Sequence, residues 1–161
     1  MQAMTLVNVG DQVVLAVQVR DGQYHLKPLH AQIRSWPPSE HGLLVGEASW
    51  IAVLAGQDWA TVEVEIDSRT GVPAGLSETW DMVTERTLIT NDSPDLAISD
   101  PYTAPQHVLV TPEYSYRVRV HCRDRGLEQS ERYLIQLWPD EPMAGERLLV
   151  GPDGLATDLR G

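Results

Sequence analysis

The chain has no phenylalanine, a single lysine (Lys27) and a single cysteine (Cys122). One cysteine excludes an internal disulfide, which fits a reducing compartment and a cytoplasmic location. Cys122 alternates with Val118 and Val120, so it reads as a small core residue rather than a nucleophile. No run approaches the roughly 20 apolar residues a membrane helix needs. Residues 1–10 lack the positive start and apolar stretch of a secretory signal, so export is not expected. A cationic patch is also missing. The 12 Lys and Arg residues face 23 acids, for a net charge of −11. A duplex-binding surface needs clustered cations, so neither a nucleic-acid nor a membrane partner is expected. Excess acid favours solubility and steers association toward basic partners.

Catalytic signatures are equally scarce. There is no G-x-S-x-G elbow, P-loop or dinucleotide fingerprint. His121 and Cys122 are neighbours on a predicted strand and point to opposite faces, so they do not hold one ion together. The segment Asn91-Asp92-Ser93-Pro94-Asp95, with Asp100 beyond it, carries oxygen ligands without the spacing of a calcium loop and reads as a solvated acidic loop. We expect no enzyme, no cofactor and no metal.

Alternation fills the gap that the missing motifs leave. From Tyr116 to Arg123, Tyr116, Val118, Val120 and Cys122 fall on one face, and Arg117, Arg119, His121 and Arg123 on the other. A period of two with one apolar face predicts a strand lying on a core. Leu109, Pro112 and Tyr116 have the pattern of a tyrosine corner, in which a tyrosine hydroxyl bonds back to nearby backbone. Further strands are predicted at 4–9, 12–20, 23–27, within 43–54, and at 60–66, 80–90, 96–98, 108–110, 133–138 and 147–150. No helix of ordinary length is supported; the nearest candidate spans 76–83, and it fits a strand start equally well. Short strands separated by turn signals predict an all-β, single-domain two-sheet sandwich over 1–150, immunoglobulin-like or similar, with long loops. Residues 151–161, rich in Gly, Asp and Pro, are expected to form a flexible tail.

Two charged faces bear on the site. Glu63, Glu65 and Asp67 lie on the outer side of one predicted strand, and Arg117, Arg119 and Arg123 on that of another. If the two strands share a sheet, the charges pair across it; if they do not, the arginines line an anion site.

The segment from about Leu43 to Pro142 resembles a large group of uncharacterised bacterial proteins common in actinobacteria. The matching pieces are Thr61–Glu65, Trp80–Glu85, Tyr116–His121 and Glu131–Pro139. More remotely, the tyrosine-bearing strand and the closing Leu-Trp-Pro are similar to the competence protein J family, inhibitors of a DNA-entry nuclease. That resemblance transfers no catalytic residue. It implies an acidic sandwich that occludes the basic groove of a nuclease or toxin, with Asp92, Asp95, Asp100, Asp140 and Glu141 as candidate contacts. The alternatives are a protein-interaction module of other purpose, or an enzyme with an unrecognised pocket.

Overall fold

A computed structural model describes residues 4–29, 31–76, 79–90 and 95–160. The chain is all-β. Its strands are β1 (Thr5–Val7), β2 (Gln12–Arg20), β3 (Gln23–Pro28), β4 (Leu44–Gly46), β5 (Ile51–Leu54), β6 (Trp59–Ser68), β7 (Met82–Ile89), β8 (Asp95–Ser99), β9 (His107–Val110), β10 (Ser115–Arg123), β11 (Arg132–Pro139) and β12 (Arg147–Val150). The apolar stretch from Leu43 to Leu54 becomes two strands, because the turn between Gly46 and Ile51 folds it into a hairpin.

The strands form one continuous mixed sheet that does not close into a barrel. It bends into two layers at the β2–β3 hairpin. There a single pair, Arg20 opposite Gln23, joins the strands before they diverge, and β5 then takes over as the partner of β3. One layer holds β1, β9, β8, β3, β5 and β4; the other holds β2, β6, β11, β10, β7 and β12. The architecture is therefore a β-sandwich. Two parallel pairs, β6 with β11 and β1 with β9, set its strand order apart from the purely antiparallel immunoglobulin pattern.

Alternation decides what lies between the layers. Val62, Val64, Tyr116, Val118, Val120 and Cys122 are all buried. Tyr24 on β3 meets Tyr133 on β11 edge to face, with ring centroids 5.4 Å apart, so the two layers touch through an aromatic pair. Burial raises the Cys122 thiol pKa well above its ordinary value, which suits packing rather than nucleophilic chemistry. The tyrosine corner is present: the Tyr116 hydroxyl accepts the backbone N–H of Glu113 at 3.1 Å.

Residues 151–160 form a strap that ends in a short helix, α1 (Ala156–Leu159). Asp153 pairs with the buried Arg125, Nη2 to Oδ1 2.6 Å, and Ala156 is fully buried. Gly42 explains how the strap comes so close. Its φ is +90°, and a Cβ there would sit 2.2 Å from the Ala156 carbonyl oxygen. Gly42→Ala is expected to cost about 2 kcal/mol, from left-handed strain plus the clash. Limited proteolysis should then cut within 151–160, while the wild-type strap resists.

Candidate functional site

Strand direction sorts the predicted acids to opposite ends of the sandwich. β7 closes at Ile89 opposite Ser115 of β10, β11 closes at Pro139 opposite Tyr116, and β8 opens at Asp95 opposite Val110 of β9. Asp95, Asp140 and Glu141 therefore share one end. Asp140 and Glu141 are exposed, and the Asp140 carboxylate accepts the Glu141 backbone N–H at 2.8 Å. The 111–114 connection adds Glu113 and Tyr114, both exposed, to the same end. Asp92 lies outside the described residues.

Asp100 is corrected. It follows β8 at the far end and is only 3% exposed. Its carboxylate accepts the N–H groups of Tyr102 and Thr103 at 2.7 and 2.9 Å and the Thr103 hydroxyl at 2.6 Å. This is a local Asx turn that buries the side chain away from the acidic end.

The arginine stripe resolves as packing. Strands β6 and β10 share a layer, but β11 lies between them, so Glu63, Glu65 and Asp67 are not the cross-strand neighbours of Arg117 and Arg119. Glu85 on β7 takes their place: Arg117 Nε lies 3.1 Å from Oε1, and Arg119 Nη2 lies 3.6 Å from Oε2. Arg117 also donates to the Thr87 hydroxyl at 3.2 Å. Arg119 lies over Trp138, and Arg123 over Trp80. Arg117 is 1% exposed, so it cannot serve as an anion receptor on the surface. On β6, Asp67 is held instead by Gln136 at 3.1 Å and Arg69 at 3.3 Å.

From the acidic end, the 140–146 connection runs beside the part of β7 beyond its pairing with β12, where the Ile89 N–H donates to the Ala48 carbonyl of the β4–β5 turn at 2.8 Å. It walls a cleft of about 470 Å³, lined among others by Pro38, Glu40, Leu44, Arg86, Met143 and Glu146. Arg86 Nη1 lies 3.6 Å from Glu146 Oε1, and Arg86 Nη2 donates to the Glu47 carbonyl at 3.2 Å. Glu146 Oε2 and Arg86 Nε are buried without a hydrogen-bond partner among the described residues. Burial raises the Glu146 carboxyl to about 7; Arg86 and His41 oppose that rise, and Glu40 adds to it. Burial likewise lowers the Arg86 guanidinium.

Sequence reasoning missed this pair. The one signal available was a lone acid just before the apolar strand β12. Glu146 makes no hydrogen bond to a hydroxyl or thiol among the described residues, so no nucleophile–base pair is assembled in the cleft. No group of three or more metal-ligating side chains occurs among the described residues.

No protein-family model matches the chain, and no curated protein matches it. Two solved structures share its fold. One is ComJ, inhibitor of the DNA degrading activity of NucA, from Bacillus subtilis. It has a TM-score of 0.60 at 9% identity, over 80% of this chain and 96% of that one. The other is described as crocagin biosynthetic gene J. It has a TM-score of 0.57 at 15% identity, over 81% of this chain and 98% of that one. At these identities the likeness is one of fold: the chain has the sandwich of ComJ, a protein that inhibits a nuclease.

Proposed function

We propose that this chain is a non-enzymatic, cytoplasmic, acidic protein-binding sandwich that inhibits a nuclease or toxin by covering its basic nucleic-acid groove. The observation that carries this reading is the fold shared with ComJ over 80% of this chain and 96% of that one. The acidic end supports it, because Glu113, Asp140 and Glu141 are exposed there and Asp95 opens β8 at the same end. Opposite charge speeds the encounter and fixes register more than it adds affinity. Binding should therefore be fast at low salt and weaken steeply at about 1 M salt, where the screening length is about 3 Å.

The test is capture from native lysate at low and high salt, followed by a DNA-degradation assay on what is captured. The expected result is a basic protein that is released by salt, degrades DNA and is silenced by adding this chain back. A variant carrying Asp95→Asn, Asp140→Asn and Glu141→Gln should bind it more slowly, by about tenfold or more. Capture of the same protein by wild type and variant at equal rates would refute the reading.

One observation favours a second reading, an interaction module that works by apolar contact. Trp59 and Tyr102, 62% and 64% exposed, stack with centroids 6.5 Å apart, and Arg20 lies over Trp59. These three residue types dominate binding hot spots. A partner that resists salt but is lost with Trp59→Ala would establish that reading instead.

A further inference from the structure

We infer that the Glu40–Glu146 cleft receives a lysine or arginine side chain of the protein partner; this deepens the reading above and rests on it. Charge balance is the first argument. The cleft wall carries two carboxylates, Glu40 and Glu146, against one guanidinium, Arg86, with His41 Nε2 beside the wall 3.7 Å from Glu40 Oε1. Arg86 engages Glu146 through Oε1, while Oε2 has no partner among the described residues, although the Glu146 side chain is only 4% exposed. Once Glu146 is ionised, one more positive charge completes the set; an anion would face both carboxylates. Shape is the second argument. Pro38, Leu44 and Met143 supply apolar wall for a methylene stem, while Glu40, 60% exposed, stands where the charged tip can be met from solvent. Position is the third. The connection that walls the cleft begins at Asp140 and Glu141, so a partner seated on the acidic end lies beside the opening.

The proton balance makes the inference specific. Empty, Glu146 holds its proton to about pH 7. The groups that act on it are Arg86 from β7 and Glu40 and His41 from the segment before β4. An incoming cation exchanges for that proton, which leaves to solvent. Affinity should therefore rise about tenfold between pH 6 and pH 8, as the fraction of ionised Glu146 does.

The experiment uses the full chain with 13C-labelled methionine methyls and titrates in N-acetyl-arginine amide, N-acetyl-lysine amide and the uncharged N-acetyl-citrulline amide. Met143 lines the cleft and is the reporter. Met82 is fully buried, and Met4 is exposed beside β1, so they serve as internal controls. The expected result is a saturable shift of Met143 with a cationic probe, none with citrulline amide, and tighter binding at pH 8 than at pH 6. Glu146→Gln should weaken binding at pH 8 at least fivefold and abolish the pH dependence. Glu40→Gln should weaken binding and keep the pH dependence; being exposed, this variant carries the test if Glu146→Gln fails to fold. Equal shifts at Met4 and Met143, equal binding of citrulline amide, or an unchanged pH dependence in Glu146→Gln would overturn the inference. Putrescine binding more tightly than either amide would overturn it in favour of a free diamine. A salt-sensitive nuclease partner without any Met143 response removes the anchor alone. A Met143 response without such a partner removes the nuclease reading and leaves a cation site.

Discussion

Replacing Arg125 by alanine is expected to cost about 3–5 kcal/mol, the range for breaking a buried ion pair from one side. Arg125 sits in the β10–β11 connection and ties three other parts of the chain to it. Its Nε and Nη2 donate to Asp153 Oδ2 and Oδ1 at 2.9 and 2.6 Å, a bidentate pair. Its Nη1 donates to the carbonyls of Gly42 at 2.7 Å and Leu54 at 3.0 Å. Removing the side chain takes the countercharge from Asp153, which keeps only the Leu155 and Ala156 N–H groups and the weak Cys122 thiol contact, and takes a donor from two carbonyls, and acceptors that lose a buried donor carry a desolvation cost. Asp153 lies below the ordinary carboxylate value: burial would raise it, but the Arg125 hydrogen bonds and charge outweigh that. Urea unfolding should show a lower midpoint at unchanged slope. Asp153→Ala should cost a similar amount, and the double variant much less than the sum, because the two act as one unit. Arg132→Ala, at an exposed arginine on β11, should change stability by less than about 0.5 kcal/mol. Equal small losses for Arg125→Ala and Arg132→Ala would mean that the strap contributes nothing to the fold.

The same cluster shows where sequence pattern stops being informative. Alternation is local, so the strand 116–123 and its buried face could be read directly from the chain. The fate of its other face could not. Arg117 is buried by Glu85, 32 positions away, and only the pairing of β7 with β10 brings them together. In the strap after β12, Asp153 finds Arg125 28 positions upstream, and Gly42 opens the space that Ala156 fills. The site divides the same way. Asp140 and Glu141 follow a strand that ends in Trp-Pro, so their exposure at a sandwich end was legible. The burial of Asp100 was also legible in principle, since Asp-Pro-Tyr-Thr is the spacing at which a carboxylate caps its own turn. Glu146 and Arg86 were not, because their meeting depends on the 140–146 connection running beside β7.

Acid should unfold this protein through two histidines. His25 and His121 are 5% and 2% exposed. Burial lowers each to about 4; Lys27 adds to the effect at His25 and Arg119 at His121. Each ring is held as a neutral donor. His121 Nδ1 lies 2.9 Å from the Leu134 carbonyl, and His25 Nε2 lies 2.6 Å from the Gln23 side-chain oxygen. Below pH 6.5 the unfolded chain takes up protons that the folded rings refuse, so stability falls as pH drops from about 6.5 toward 4. At 1.36 kcal/mol per unit, each histidine removes on the order of 3 kcal/mol across that window. Glu146 works in the opposite direction. Its folded value of about 7 lies above the ordinary 4.5, so it favours the folded state below pH 4.5, and that contribution is lost as pH rises through 7. Acidification from pH 7 therefore regains on the order of 3 kcal/mol at Glu146 while losing about twice that at the histidines. The wild-type chain should be most stable near neutrality and lose roughly 3 kcal/mol by pH 4 from these three groups. His121→Asn places an amide nitrogen near Nδ1, and His25→Gln places one near Nε2, so both donors survive without the titration. In urea unfolding from pH 8 to pH 4, the double variant should gain stability where the wild type loses it. Parallel curves would show that the imidazoles accept protons in the folded state and that their burial does not govern the response to acid.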